Sequence, residues 1–180
     1  GFAIGMLLLP YIFFPSRFEE LKRQELLIEA MRAVKSPVKA LLAGTGGQLP
    51  RLKRLVGELG LDDKVAFLGR IGHAEKLSYY ARALAVFFGP HNEDYGYVTL
   101  EAMLAGKPVI TCKDAGGPTE FVRHGESGLV VDPEPAAVAD AIEELCNDKR
   151  KAAQMGLNGR EHYHGMNISW ERVVDKLTEL

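Results

Sequence analysis

Cysteine is scarce in this chain. Its two cysteines, Cys112 and Cys146, lie far apart and make no metal-ligand pattern. So few thiols fit a reducing compartment, and the expected location is cytoplasmic, with peripheral membrane association of the full-length protein as the one extension. Charge of one sign is lacking too. A net charge of -2 gives no support for nucleic-acid or anionic-membrane binding through bulk charge. No apolar run is long enough to span a bilayer. Residues Gly1 to Phe14 carry no charge, but the stretch is too short and Pro10 interrupts it. It also lacks the basic start and cleavage site of a signal peptide. The chain opens on Gly rather than Met, so residues 1–10 are read as a linker or tag remnant and 11–180 as the folded domain. The histidines His73, His91, His124, His162 and His164 form no metal spacing, and His162 and His164 are wrongly spaced for one helix face. No acidic triplet suggests a divalent ion. The first strand is not followed by Gly-x-Gly-x-x-Gly, which argues against a dinucleotide-binding dehydrogenase.

What the chain does have is a globular composition, 47% hydrophobic over 180 residues, suited to one domain with a proper core. Short apolar runs alternate with amphipathic segments. The runs at Tyr11–Phe14, Val38–Ala43, Val65–Leu68, Ala85–Phe88, Pro108–Thr111 and Gly128–Val131 read as strands buried on both faces. Between them, helical spacing marks about Arg23–Val34, the Leu52/Leu55/Val56/Leu59 segment, His73–Ala83, a helix from near Tyr97, a short one ending near His124, and the Val138–Leu145 segment. Two more helices are expected at about Lys149–Tyr163 and Ile168–Leu180. This alternation predicts an α/β fold: a Rossmann-like, doubly wound parallel sheet of about six strands with helices on both faces. Such sheets bind ligands at the carboxyl ends of their strands.

The most informative stretch runs from His91 to Met103. It places Glu93 and Asp94 in a loop after the fourth strand, then a helix start at Tyr97, and Glu101 one turn in. The amides of Val98, Thr99 and Leu100 are expected to open toward the space above the strand, where a helix end favours phosphate. Two carboxylates flanking such an end suit a ligand with a diphosphate and hydroxyl-rich rings. Asp94 alone reads rather as a complement to the helix dipole. Arg17 and Lys22 flank the loop after the first strand; they serve either as solvated surface cations or as stabilisers of a departing anion. Gly44-Thr45-Gly46 is a tight turn after the second strand, weak evidence by itself. Arg70-Ile71 follows the third strand, and Ile71 could simply cover the core.

Glu93, seven residues and Glu101, with Gly96 between and the tail Leu100-Glu101-Ala102-Met103, resemble the donor-site signature of family 4 retaining glycosyltransferases. The resemblance covers about Tyr11 to Leu180 and ends on Ser169-Trp170-Glu171-Arg172-Val173, similar to that family's terminal helix. It implies the C-terminal, nucleotide-sugar donor-binding domain of a GT-B enzyme. By resemblance, Arg17 and Lys22 meet the leaving diphosphate, with Gly44 and Gly46 in the neighbouring turn. Arg70 and Ile71 hold the base. Glu93 holds sugar hydroxyls, the backbone of Asp94, Tyr95, Gly96 and Tyr97 approaches the sugar, Val98 and Thr99 open the helix, and Glu101 binds the ribose. The family pattern implies no metal and no cofactor beyond the donor substrate. The implied partners are a nucleotide sugar, an N-terminal domain of the same parent chain and an acceptor glycan or lipid. A polysaccharide, glycolipid or glycoconjugate pathway would use such transfer. The alternative is a non-catalytic nucleotide-sugar binding module acting with a separate partner chain.

Overall fold

The computed structural model describes residues 9–166 and 168. Six strands run β1 (Tyr11–Pro15), β2 (Lys39–Ala43), β3 (Val65–Gly69), β4 (Ala85–Phe87), β5 (Val109–Cys112) and β6 (Gly128–Val131). Seven α-helices lie between and after them: α1 (Gln24–Ala33), α2 (Leu49–Glu58), α3 (His73–Arg82), α4 (Tyr97–Leu104), α5 (Pro118–Phe121), α6 (Pro135–Asn147) and α7 (Lys149–Gly165). A single 3-10 turn, Glu20–Lys22, precedes α1. The expected helix at Ile168–Leu180 lies outside the described residues.

Every strand pairing is parallel, and the order across the sheet is β3-β2-β1-β4-β5-β6. This order reverses between β1 and β4, which makes the crevice above those two strands the place where ligands bind in such sheets. All six strand ends that feed the loops of interest therefore meet at one edge.

Alternate residues of each strand feed opposite cores, as a two-residue period requires. Ile12, Phe14 and Leu42 face one side with Leu27, Met31 and Ile142; Tyr11, Phe13 and Leu41 face the other with Tyr80 and Val86. Both faces are covered, so the strands carry unbroken apolar runs rather than alternation. Leu27, Ile28 and Met31 of α1 are fully buried, and each such side chain contributes about 1.5–3 kcal/mol relative to exposure. Helix starts are fixed locally: the Glu75 carboxylate accepts from the Gly72 amide at 3.0 Å, and Asp148 accepts from Lys151 at 2.9 Å. Cys112 is buried at the end of β5, and burial pushes its thiol up to about 11. Among the described residues no helix is long and apolar enough to cross a membrane.

Candidate donor site

At the carboxyl edge lies a cavity of about 350 Å³, lined by the ends of β1 and β2, the loop after β3, and α3 and α4. Arg17, Gly44, Arg70, Ile71, Tyr97, Val98 and Glu101 all reach it. The sequence-predicted residues from four separate loops are thus brought to one wall-to-wall space. Lys76 of α3 joins them, a residue not singled out from the sequence.

Arg17 is held by its backbone and exposed along its side chain. Ser16 donates to Ala43 O and Phe18 to Thr45 O, both at 2.9 Å, and Gln24 donates to the Arg17 carbonyl at 2.7 Å. Its side chain is 78% exposed, with Glu19 at 3.3 Å as its ion-pair partner. The glycine turn explains how the two loops come so close. An added Cβ on Gly44, at φ +144°, would lie 1.9 Å from the Ser16 carbonyl oxygen, and one on Gly46 would lie 2.3 Å from that of Phe18. These glycines therefore let two loops zip together. Gly44 lines the cavity; Gly46 is outside its lining.

Lys22 and Glu93 stand outside that lining as well. They form an ion pair with each other, 71 residues apart in sequence, and Lys22 Nζ lies 5.8 Å from the centre of the Phe88 ring. The Glu93 backbone is stitched down: its amide donates to Ala115 at 2.8 Å, and its carbonyl accepts from Gly117 at 2.7 Å.

One expectation about the α4 loop changes, at Thr99. Gly96 is buried, and Pro118 fills the space its missing side chain leaves; an added Cβ would sit 2.8 Å from Pro118 Cγ. The smallness of this residue thus serves packing against α5. Thr99 is fully buried, and its amide donates to the Gly96 carbonyl at 2.9 Å, so that amide does not open outward. Asp94 is exposed outside the cavity lining, whereas Tyr95 packs its ring 4.9 Å from that of Tyr97 and 5.5 Å from Phe121.

The carboxylate of Glu101 is gripped on both oxygens. Lys76 Nζ reaches Oε1 at 2.8 Å, and the Tyr80 hydroxyl donates to Oε2 at 2.7 Å. Neither partner was singled out from sequence. The available signal was their spacing of four on a helix that begins at the strand-end edge, which puts both on one face.

A second arrangement also escaped the sequence reading. Arg23 donates from Nε to Gly89 O at 2.8 Å and from Nη2 to Pro90 O at 2.6 Å, while a two-pronged pair reaches Asp114 at 2.8 and 2.7 Å. It ties the loops after β1, β4 and β5 together. The Arg23 guanidinium holds the Asp114 carboxyl below its ordinary range, with a smaller contribution from His91 at 3.2 Å.

This fold and edge have known counterparts. The model of the family described as "Glycosyl transferases group 1" matches residues 9–162. The chain belongs to the group 1 glycosyltransferases. It is 34% identical over 176 residues to the GDP-mannose-dependent alpha-(1-6)-phosphatidylinositol monomannoside mannosyltransferase of Mycobacterium tuberculosis, covering 91% of this chain and 45% of that protein. The D-inositol 3-phosphate glycosyltransferase of Corynebacterium urealyticum is 33% identical over 178 residues, covering 93% and 41%. The chain thus spans less than half the length of these curated relatives. Among solved structures, Anabaena Alr3699/HepE in complex with UDP-glucose superposes with a TM-score of 0.87 at 30% identity, over 98% of this chain and 50% of that one. The C-terminal domain of LpcC, a group 1 family protein from Francisella tularensis, gives 0.77 at 27% identity, over 88% and 87%. The Rossmann-like architecture expected from the sequence agrees with these neighbours.

Proposed function

We propose that this group 1 domain is the donor-binding half of a retaining glycosyltransferase. The whole enzyme moves a hexosyl group from a nucleoside diphosphate sugar to an acceptor hydroxyl, keeping the configuration at the transferred carbon. The observation that carries this reading is the cavity itself: a carboxylate, Glu101, faces a space shared with Arg17 and Arg70 at the carboxyl edge of a parallel sheet. The ring hydroxyls of a ribose suit the carboxylate, and a diphosphate suits the cations. As the sugar–oxygen bond breaks, charge grows on the diphosphate, and Arg17 and Lys22 meet it without a metal. Glu93, beside Lys22, is assigned to hydroxyls of the sugar. The acceptor and the other wall of the cleft belong to an N-terminal domain.

Two measurements test this. Titration of the chain with UDP, GDP and their sugars should show saturable binding to at least one, and no enzyme-like transfer, because orientation of the acceptor can supply about 7–11 kcal/mol of a barrier and needs the second wall. Failure of every nucleotide to bind removes the donor site from consideration. Within a binding protein, Glu101→Gln should weaken the preferred nucleoside diphosphate by roughly tenfold or more, since a hydrogen bond to a charged group contributes about 1.5–3 kcal/mol. Unchanged calorimetric affinity in a folded variant removes Glu101 from the ribose.

A further inference from the structure

We propose that Tyr80 and Lys76 are positioning residues that fix the Glu101 carboxylate and thereby make the site selective for ribose over 2′-deoxyribose. The inference rests on the donor-site reading of Glu101. It starts from an asymmetry in burial. Tyr80 is 1% exposed, with its ring edge-on to Phe13 at 5.1 Å, yet its hydroxyl ends on the oxygen of a carboxylate that borders the cavity. A buried phenol needs an acceptor, and Phe in its place would preserve all the ring packing. The hydroxyl is therefore the part of Tyr80 that addresses the site. Burial, then the charge of Glu101, drive the phenol's pKa far up, so the hydroxyl remains a donor at any working pH.

The geometry says what this donor does. A glutamate carboxylate turns readily about its last torsion, which is broad and two-fold. Here Tyr80 holds one oxygen and Lys76 the other, from successive turns of α3. Each carboxylate oxygen has two acceptor directions. With one on each oxygen occupied from the α3 side, one on each is left over. Two fixed acceptors side by side match two adjacent hydroxyls, as the 2′ and 3′ positions of ribose present them. A deoxyribose fills only one. Freed from its two holders, the carboxylate would rotate, and much of the advantage of the second hydroxyl would be lost.

The experiment measures affinity of the whole chain for two pairs, UDP with 2′-deoxy-UDP and GDP with 2′-deoxy-GDP, by calorimetry. Wild type should prefer the ribonucleotide of its pair by about tenfold, the worth of one hydrogen bond to a charged group. Tyr80→Phe should bind the ribonucleotide several-fold more weakly and the deoxynucleotide nearly as before, so the ratio shrinks toward one. Lys76→Met, on a side chain 30% exposed, should shrink the ratio independently, and Lys76→Arg should restore part of it. A purely structural tie between α3 and α4 would lower the melting temperature or weaken both nucleotides alike. An unchanged ratio in Tyr80→Phe and in Lys76→Met overturns the assignment while leaving the donor site standing. A wild-type protein that binds a nucleoside diphosphate without preferring ribose overturns it too. If wild type binds neither pair, the donor reading itself falls and takes this inference with it.

Discussion

Arg23→Ala is expected to lower the unfolding free energy by about 3 kcal/mol, the lower end of the range for breaking a buried ion pair by removing one partner. The lower end applies because the Asp114 side chain is 36% exposed and water can take over part of the task. The loss still reaches beyond one salt bridge. Two carbonyls, Gly89 and Pro90, and both oxygens of Asp114 lose a donor at once. Arg23 also occupies a left-handed backbone conformation, φ 52°. Alanine pays the same backbone cost there, so the comparison isolates the guanidinium. Arg23→Lys should recover less than half, because a single ammonium cannot serve a two-pronged carboxylate and two carbonyls together. The effect has a pH signature. Because folding holds the Asp114 carboxyl below its ordinary value, the stability it contributes is present above the carboxylate range and fades as pH falls. Wild type should therefore lose more stability than Arg23→Ala between neutral pH and acid. Urea denaturation at both pH values decides it: a midpoint unmoved by Arg23→Ala at neutral pH removes the clamp.

The sheet was legible because its strands are buried on both faces. Ile12-Phe13-Phe14 and Leu41-Leu42 carry no polar residue that could blur the reading, and both ends of each run are punctuated. The edge at which ligands gather followed from topology alone, and Arg17, Gly44, Arg70, Ile71 and Glu101 do meet there. What stayed hidden is pairing across loops. Lys22 and Glu93 are 71 residues apart, and Arg23 and Asp114 are 91 apart. No periodicity links such positions; they meet only because β1, β4 and β5 end side by side. The reason for two glycines is hidden likewise: the neighbour that needs the space is Pro118 at Gly96 and the Phe18 backbone at Gly46. A missing side chain is visible in sequence, while the atom that fills its place is a property of the fold. Thr99 shows the same limit: its place one turn before Met103 faces it into the interior.

In the full enzyme that the donor reading requires, Arg17→Ala is expected to slow turnover by roughly 10²–10³-fold, the usual cost of removing one preorganised stabiliser of developing charge. The structure explains why folding should be indifferent to the change. The Arg17 side chain is 78% exposed and its partner Glu19 is itself 45% exposed, so the pair contributes little to stability. The backbone beneath it is anchored by Ser16, Phe18 and Gln24, none of which depends on the guanidinium. Melting temperature should accordingly stay at the wild-type value. Substrate affinity should fall less than turnover, because the ground-state diphosphate carries less charge at the breaking bond than the departing one does. Lys22→Ala should behave differently. Lys22 is paired with Glu93, and both side chains are largely shielded, at 18% and 25% exposure. Its removal leaves a half-buried carboxylate without its cation, so stability and turnover should fall together. Parallel kinetics and thermal melts of the two variants separate the roles. If Arg17→Ala turns over at the wild-type rate, the leaving group is not met by Arg17. If Lys22→Ala keeps full stability, the Lys22–Glu93 pair does not organise the sugar side of the site.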